Sequence, residues 1–547
     1  MSVHVHVVKL EPTSQWDQTV LNLLWTNELS PTGLNFVVHD NEYPNADGIV
    51  LVIPGRFWSG RDPERFAPET ITREIARYRW VLAIRTGDEE DWFHPGMIQH
   101  PNIRWWIQTP RMNVDYGYVR RFGVGFTPHL ASLSLGTPDK DIDLYLSAQN
   151  THPRRFDAFR ELHHLQWSTA AGLLIISNES PGFTQGVPPE MYAFDMVHTK
   201  IALCPAGPDT PDTFRLYEAL EAHCIPIADD VCANRPEETG YWRSLFPDAP
   251  FPILADWEDL PLLVGENLPD WVAKSNRITA WWILQKREYV RWLHDDLHVL
   301  AAGVDAAPQQ ITAVVPVSPI PSHPDISIIR ETVNSIRYWL PDCEIILTFD
   351  GVRPEQEHMR EAYEESIRRV LWEADRTRSH ITPIIFDEHM HQSGMLRAMI
   401  NQVHTPMLMY VEADCPLVTD WPIPWEDITR MITSGVADVV RLHHEALILP
   451  VHEHLMMQRQ GDFWRTKQWS QRPHVASTSY YHDTITQRFS ENTKCFLEER
   501  MAGQMEHNPD TAKVFIYAPE DGSNNIKRSW TLDGRGDAPQ FLESQVF

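Results

Sequence analysis

No stretch of this sequence comes near the ~18 consecutive apolar residues that a membrane-spanning helix needs. Its opening, MSVHVHVVKLEP, has no basic region followed by an apolar one, so nothing marks a secreted product. Cysteine is scarce. The 6 cysteines among 547 residues, at 204, 224, 232, 343, 415 and 495, have neither metal-site spacing nor an obvious disulfide framework, and several fall in predicted buried strands. A reducing cytoplasm fits that usage. Positive charge is short as well: 47 Lys and Arg stand against 75 Asp and Glu, a formal net charge of −28, with no basic run longer than two. A nucleic-acid partner would have to overcome that repulsion with a localised basic groove, so it is disfavoured. Internal repeats and low-complexity segments are also missing.

What is present suits a globular enzyme. Hydrophobic residues make up 42% and charged residues 22%, and the length, at ~100–200 residues per domain, suggests three folding units. The 21 Trp and 15 Tyr supply rings that stack on sugars, though core and rim packing accounts for most of them. The 26 histidines form clusters at His389/His391, His443/His444 and His452/His454, yet no H-E-x-x-H spacing occurs and zinc is not expected.

Residues 1–135 alternate short apolar strands (VHVHVV, NFVVH, GIVLVIPG, WVLAIRTG, IRWWIQTP) with helical stretches such as Pro63 to Tyr78, the rhythm of a parallel sheet with crossover helices. Residues 136–302 repeat it, and Asp270 to Leu300 reads as a long Trp-rich helix able to pack across both. Gly303 to Ile311, GVDAAPQQI, is small, polar and unpatterned, hence a linker. Over 311–547 the pattern starts afresh: TAVVPVS, a helix from Ile326 to Trp339, EIILTFDG, a helix from Glu355 to about Ala374, ITPIIF, then PMLMYVEADCPL. The expected class is α/β throughout.

The most telling segment is Pro211 to Asp230, PDTFRLYEALEAHCIPIADD. Arg215 and Glu218 open an amphipathic helix whose Phe214, Leu216, Ala219, Leu220 and Ala222 face a core, and the helix runs into the buried strand CIPIA. A helix N-terminus offers N–H groups and a positive dipole end to a diphosphate, Arg215 adds a bidentate donor, and Glu218 can accept ribose hydroxyls. An ordinary helix and strand with a surface Arg and Glu would read the same way. Upstream, DIDLYLSAQNTHPRR is a strand, a polar loop and the pair Arg154/Arg155 opening the next helix. KIALCPAGPDTP is a second strand ending in a Pro/Gly loop that contains Gly207.

The order strand, S-x-Q, R-R, L-C-P-x-G, F-R-L-Y-E-A-L-E-A-x-C-I-P-I over Asp141 to Asp230 resembles the nucleotide-binding half of exostosin-like glycosyltransferases. The resemblance implies a GT-B double Rossmann-like module, 1–135 on the acceptor side and 136–302 on the donor side, with Arg154, Arg155, Gly207, Arg215 and Glu218 binding a nucleotide sugar. His223 departs from the pattern, standing where such motifs carry Gly at the helix end, and must accept whatever backbone the turn demands.

In the third unit Asp350 closes one apolar strand, and Glu412 with Asp414 closes another, at the strand ends where open α/β sheets bind ligands. Hard oxygen ligands there suit Mg²⁺ or Mn²⁺, although paired acids at strand ends are common without a metal. The run from Met390 to Leu417, followed at a distance by FLEERMAGQM, resembles the family-2 type of GT-A glycosyltransferase. That resemblance implies nucleoside contact for Asp350, metal and diphosphate for Glu412 and Asp414, and an acceptor base in Glu498 or Glu499. Glu412 replaces the usual first Asp, so Asp414 is the safer ligand. The intervening RQGDFWRTKQWSQRPHVASTSYYHD suits an acceptor-binding insert or a surface loop cluster, and IYAPEDGSNNIKRSWTLDGR a strand pair near the site.

The expectation is therefore a bifunctional glycosyltransferase of bacterial or bacteriophage type acting in the (host) cytoplasm. Its product would be glycan on a protein, a polysaccharide or a modified nucleobase. Alternatives are a single active module with the other binding glycan or acceptor, and a non-catalytic carbohydrate-binding protein on a transferase fold.

Overall fold

The computed structural model describes residues 3–10, 18–29, 33–55, 67–132, 136–168, 172–182, 185–301, 310–377, 380–419, 422–442, 448, 450–490 and 493–519. They divide into two compact units, Met1–Ala307 and Pro308–Phe547.

The first unit holds two wholly parallel sheets. β1 (Val3–Lys9), β2 (Leu34–Asp40), β3 (Gly48–Pro54), β4 (Trp80–Thr86), β5 (Ile103–Gln108) and β6 (Val119–Phe122) lie in the order β2-β1-β3-β4-β5-β6. β7 (Ile142–Gln149), β8 (Ile175–Ser180), β9 (Thr199–Cys204), β10 (Ile225–Asp229) and β11 (Ile253–Leu254) follow as β11-β10-β9-β7-β8. β3, β4 and β10 are buried along their whole length. Both faces of such strands are covered by helices, so their sequences are continuous apolar runs and not alternating ones. The helix Pro68–Ile75 packs Ile71 and Ile75 against Ile49, Leu51 and Val81. The expected helix began earlier, at Pro63, which lies outside the described residues.

A single helix, Trp271–Leu300, fastens both sheets. Trp282 Nε1 and Lys286 Nζ each donate to Glu221 Oε1 at 2.7 Å, beside β10. One end of the same helix receives Arg104 Nη1 and Trp106 Nε1 of β5 on Asp296, at 2.6 and 2.7 Å.

In the second unit β12 (Ile311–Val317), β13 (Glu344–Phe349), β14 (Ile381–Ile385), β15 (Met407–Tyr410), β16 (Val439–Leu442), β17 (Met456–Gln460), β18 (Phe463–Thr466), β19 (His474–Ser477) and β20 (Val514–Tyr517) form one mixed sheet, ordered β14-β13-β12-β15-β19-β16-β20-β18-β17. The half from β14 to β15 is parallel. Beyond it β19 runs antiparallel to both β15 and β16. The stretch expected as an insert or loop cluster is thus largely built into the sheet: it supplies most of the β17–β18 hairpin and all of β19. Its strands are only four or five residues long and carry Gln and Arg on their open face, too short for the alternation to register against the turns. Of the expected terminal strand pair, Ile516 and Tyr517 end β20; residues from 520 onward lie outside the described residues, as does most of the expected linker.

The fold is α/β, with two parallel Rossmann-like sheets followed by a mixed sheet. Among the described residues no helix is long and apolar enough to cross a membrane.

Candidate functional site

In the first unit the carboxyl ends of β4, β6, β7, β8 and β9 surround a cavity of about 810 Å³. β8 and β9 leave β7 on opposite sides, so the strand order reverses beside it. Such a switch point opens a crevice at the strand ends, where α/β sheets hold ligands. Arg215, Glu218, Arg155 and Gly207 all line the cavity, with Gln149, Tyr192, Asp212 and Thr213.

Arg215 is positioned by the helix Phe214–Glu221 and donates Nε to the Ser147 carbonyl at the end of β7. That bond aims the guanidinium along the cavity and leaves its Nη groups unbonded by any described residue. One turn on, Glu218 Oε2 accepts the Tyr192 hydroxyl at 2.5 Å. Arg155, in the first turn of the helix Pro153–Ser168, holds the loops after β7 and β9 together through Gln149 O at 3.4 Å and Ala206 O at 3.3 Å. Burial, then the nearby Arg215 charge, bring its pKa down to about 9. Two cations held this close in a partly dry cavity favour an anionic ligand that would offset their repulsion. His152 just before them is neutral, with burial and then Arg155 pushing it down to about 4.

Arg154 is placed differently. Its guanidinium forks onto buried Asp229, Nη2 to Oδ1 at 2.5 Å and Nε to Oδ2 at 3.2 Å, and also donates to Ala255 O. It does not line the cavity. Neighbours in a helix point about 100° apart, so of two adjacent arginines only one can face a given ligand.

The turn that follows Arg215's helix answers the question set by His223. Its φ is 54°, in the left-handed region. Cys224 N bonds Ala219 O and His223 N bonds Leu220 O, at 2.8 and 3.1 Å, a Schellman ending. Ser275 Oγ donates to the His223 carbonyl from the long helix.

Asp212 was not singled out by sequence. It lies buried at the cavity floor and joins the two sheets: Oδ2 accepts Val124 N and the Tyr241 hydroxyl, both at 3.0 Å, while Oδ1 accepts the Tyr217 hydroxyl at 2.9 Å. Burial pushes its carboxyl up to about 6, against those bonds. Gly123 makes the contact possible, because a Cβ there would fall 1.5 Å from the Tyr217 hydroxyl oxygen. Tyr192 was missed too, since nothing local to PPEMYAF reports a carboxylate 26 residues away.

In the second unit the strand order reverses between β12 and β15, and the predicted acids stand at that end of the sheet. Asp350 follows β13 and accepts Met390 N at 2.6 Å, Gly351 N at 3.0 Å and His391 N at 3.2 Å, with His389 Nδ1 at 2.7 Å. Gly351 is required, since a Cβ would sit 2.2 Å from the Glu388 carbonyl carbon. Glu412, Asp414 and Cys415 each offer a ligand atom, all within 4.8 Å of one another. The thiol is the member sequence reasoning left out. Gln392 Nε2 donates to Glu412 Oε1 at 2.9 Å, and Arg472 Nη1 lies 3.5 Å from Cys415 Sγ. Burial and then the Asp414 charge push the Glu412 carboxyl up to about 7, opposed by Arg472 and Gln392.

Glu498 and Glu499 both occupy the exposed first turn of the helix Leu497–His507. Glu498 acts electrostatically on Glu412 and on Arg441 of β16, whereas Glu499 acts on His391. The two acids therefore act on different neighbours. Among the histidine clusters, 389 and 391 adjoin Asp350, and 443 and 444 lie outside the described residues.

No protein-family model and no curated protein matches this chain. Among solved structures, S. aureus TarS 1-349 aligns with a TM-score of 0.27 and 11% identity, over 41% of this chain and 60% of that one. The mannosyltransferase PcManGT from Pyrobaculum calidifontis, in complex with GDP-Man and Mn²⁺, aligns at 0.28 and 13%, over 46% and 66%. A UDP-glucose pyrophosphorylase complexed with UDP-glucose aligns at 0.26 and 9%, over 38% and 90%. At such TM-scores these likenesses carry no argument about activity.

Proposed function

We propose that the chain is a nucleotide-sugar-dependent glycosyltransferase with two donor sites, an exostosin-like GT-B module over 1–302 and a family-2-like, metal-dependent GT-A module over 311–547. The observation that carries this reading is the convergence of Arg215, Arg155 and Glu218 on one cavity at a switch point. Arg215 and Arg155 bind the diphosphate, and Glu218, braced by Tyr192, takes the ribose. Nothing in that cavity requires a metal, because the two guanidiniums supply the charge that stabilises a departing nucleotide.

In the second unit the donor set of Glu412 and Asp414 fits a divalent cation of the Mg²⁺ or Mn²⁺ kind, with Cys415 alongside. Such a cation would neutralise charge building on the leaving diphosphate. Asp350 takes the nucleoside, and Glu498, the acid that acts on Glu412, strips the proton from the acceptor hydroxyl. The acceptor is a glycan, a protein or a modified nucleobase.

The test is donor consumption. The chain is incubated with UDP-, GDP- and TDP-sugars, in Mn²⁺ and in EDTA, and released nucleotide is measured. At least one donor should be turned over, with part of the activity surviving EDTA. Release from no donor under either condition overturns the proposal.

A further inference from the structure

Arg441 on β16 is a buried cation, 5% exposed, and lies opposite His474 of β19. Its Nη2 donates to Gln468 Oε1 at 3.0 Å, but its Nη1 is buried with no hydrogen-bond partner among the described residues. Native proteins seldom strand a guanidinium nitrogen away from water, because the desolvation is costly unless an acceptor replaces it. Burial, then the like charge of Arg472, bring Arg441 down to about 10, with Glu498 opposing. A counter-ion role toward Glu498 would account for the charge at this position. It would not account for the bare nitrogen, and no ion pair between the two is found among the described residues.

The neighbours say what is missing. Arg472 reaches Cys415, and Cys415 lies against Asp414 at 3.5 Å. One side of the arginine pair is therefore the cluster of Glu412, Asp414 and Cys415. While those acids hold no cation their charge partly neutralises the guanidiniums. Once they hold a divalent cation they no longer do, and positive charge is left beside the cation.

We propose that Arg441 and Arg472 form a seat for a diphosphate, shared with a cation on Glu412 and Asp414. Nη1 of Arg441 donates to a phosphate oxygen, and Arg472 adds a second guanidinium from the side of Cys415. This rests on reading the second unit as a donor site, but it assigns the anion to side chains that the sequence motifs did not include.

The probe is inorganic pyrophosphate, titrated calorimetrically with Mn²⁺ into the full chain bearing Arg215→Ala, which removes a principal anion donor of the first unit. Arg441→Gln in that background should weaken pyrophosphate by at least about tenfold, the range for a hydrogen bond to a charged group. Arg441→Lys, which keeps the charge and loses the fork, should weaken it by a smaller factor and carries the test should the Gln variant fail to fold. Equal affinity in the parent and in either folded variant overturns the seat, as does a parent that does not bind pyrophosphate. If binding follows Arg441 while the second unit consumes no donor, the seat stands and the transferase reading of that unit falls.

Discussion

Inside the cavity of the first unit, the Tyr192 hydroxyl donates to Glu218 Oε2 at 2.5 Å. The bond occupies one carboxylate oxygen and, in the proposed site, leaves the other for a ligand. Glu218→Ala should therefore weaken the nucleotide-sugar donor by about 1–3 kcal/mol, and Tyr192→Phe by about 0.5–1.5 kcal/mol. Isothermal titration of the two variants checks both figures. Unchanged donor affinity in Glu218→Ala would take this carboxylate out of the site.

Asp212 makes stability depend on pH in a particular direction. Its folded pKa, about 6, is above the ordinary 3.8 because burial disfavours the charge. For an acid raised on folding, the stabilisation is fully present below the unfolded value and is lost as pH rises through the folded one. Asp212→Asn cannot ionise. Relative to wild type it should gain stability between about pH 4 and pH 7, by on the order of 2–3 kcal/mol. Urea unfolding of both proteins across that range is the measurement, and a difference that stays constant with pH would contradict it.

The join between the long helix and the helix Phe214–Glu221, which leads into β10, is a buried ion pair: Lys286 and Trp282 both donate to Glu221 at 2.7 Å. Glu221→Gln removes the carboxylate charge from this buried pair and should cost about 3–5 kcal/mol in the unfolding of the first unit. Adding Lys286→Met should recover most of the loss. A cost under about 1 kcal/mol for the single change would show that the pair does not hold the sheets together.

Much of this was legible because the informative elements are long or sharply bounded. The segment FRLYEALEAHCIPIAD gives the helix Phe214–Glu221 and β10 almost residue for residue, and Trp271–Leu300 matches the helix expected from Asp270. Other features depend on partners far along the chain. Asp212 matters because Val124 N reaches it from β6's end. The difference between Arg154 and Arg155 is set by Asp229, which claims the first and leaves the second to the cavity. β16 to β19 escaped, and β20 was reached only at its end, because their pairing is non-local and each strand is short. Cys415 was read among scattered cysteines, whereas its chemistry comes from two acids within three positions of it.

Metal dependence should separate the two proposed modules. Transfer by the second unit should need Mg²⁺ or Mn²⁺ and be abolished in Asp414→Asn, which loses both cation and diphosphate. Glu498→Gln should leave donor binding intact and lower turnover by roughly 10²–10⁴, the contribution of a positioned base. Glu499→Gln, whose carboxylate acts on His391, should change turnover less. Equal, negligible effects of all three would remove this unit from catalysis.

The first unit's cavity is proposed as a nucleotide-sugar site built on Arg215. Its most direct test is donor titration into the full chain bearing Asp414→Asn, which removes a ligand of the proposed metal site, with and without Arg215→Ala. Saturable binding of a UDP-, GDP- or TDP-sugar is expected, weakened about tenfold or more by Arg215→Ala. Binding that ignores Arg215, or no binding of any of the three donors, would contradict it.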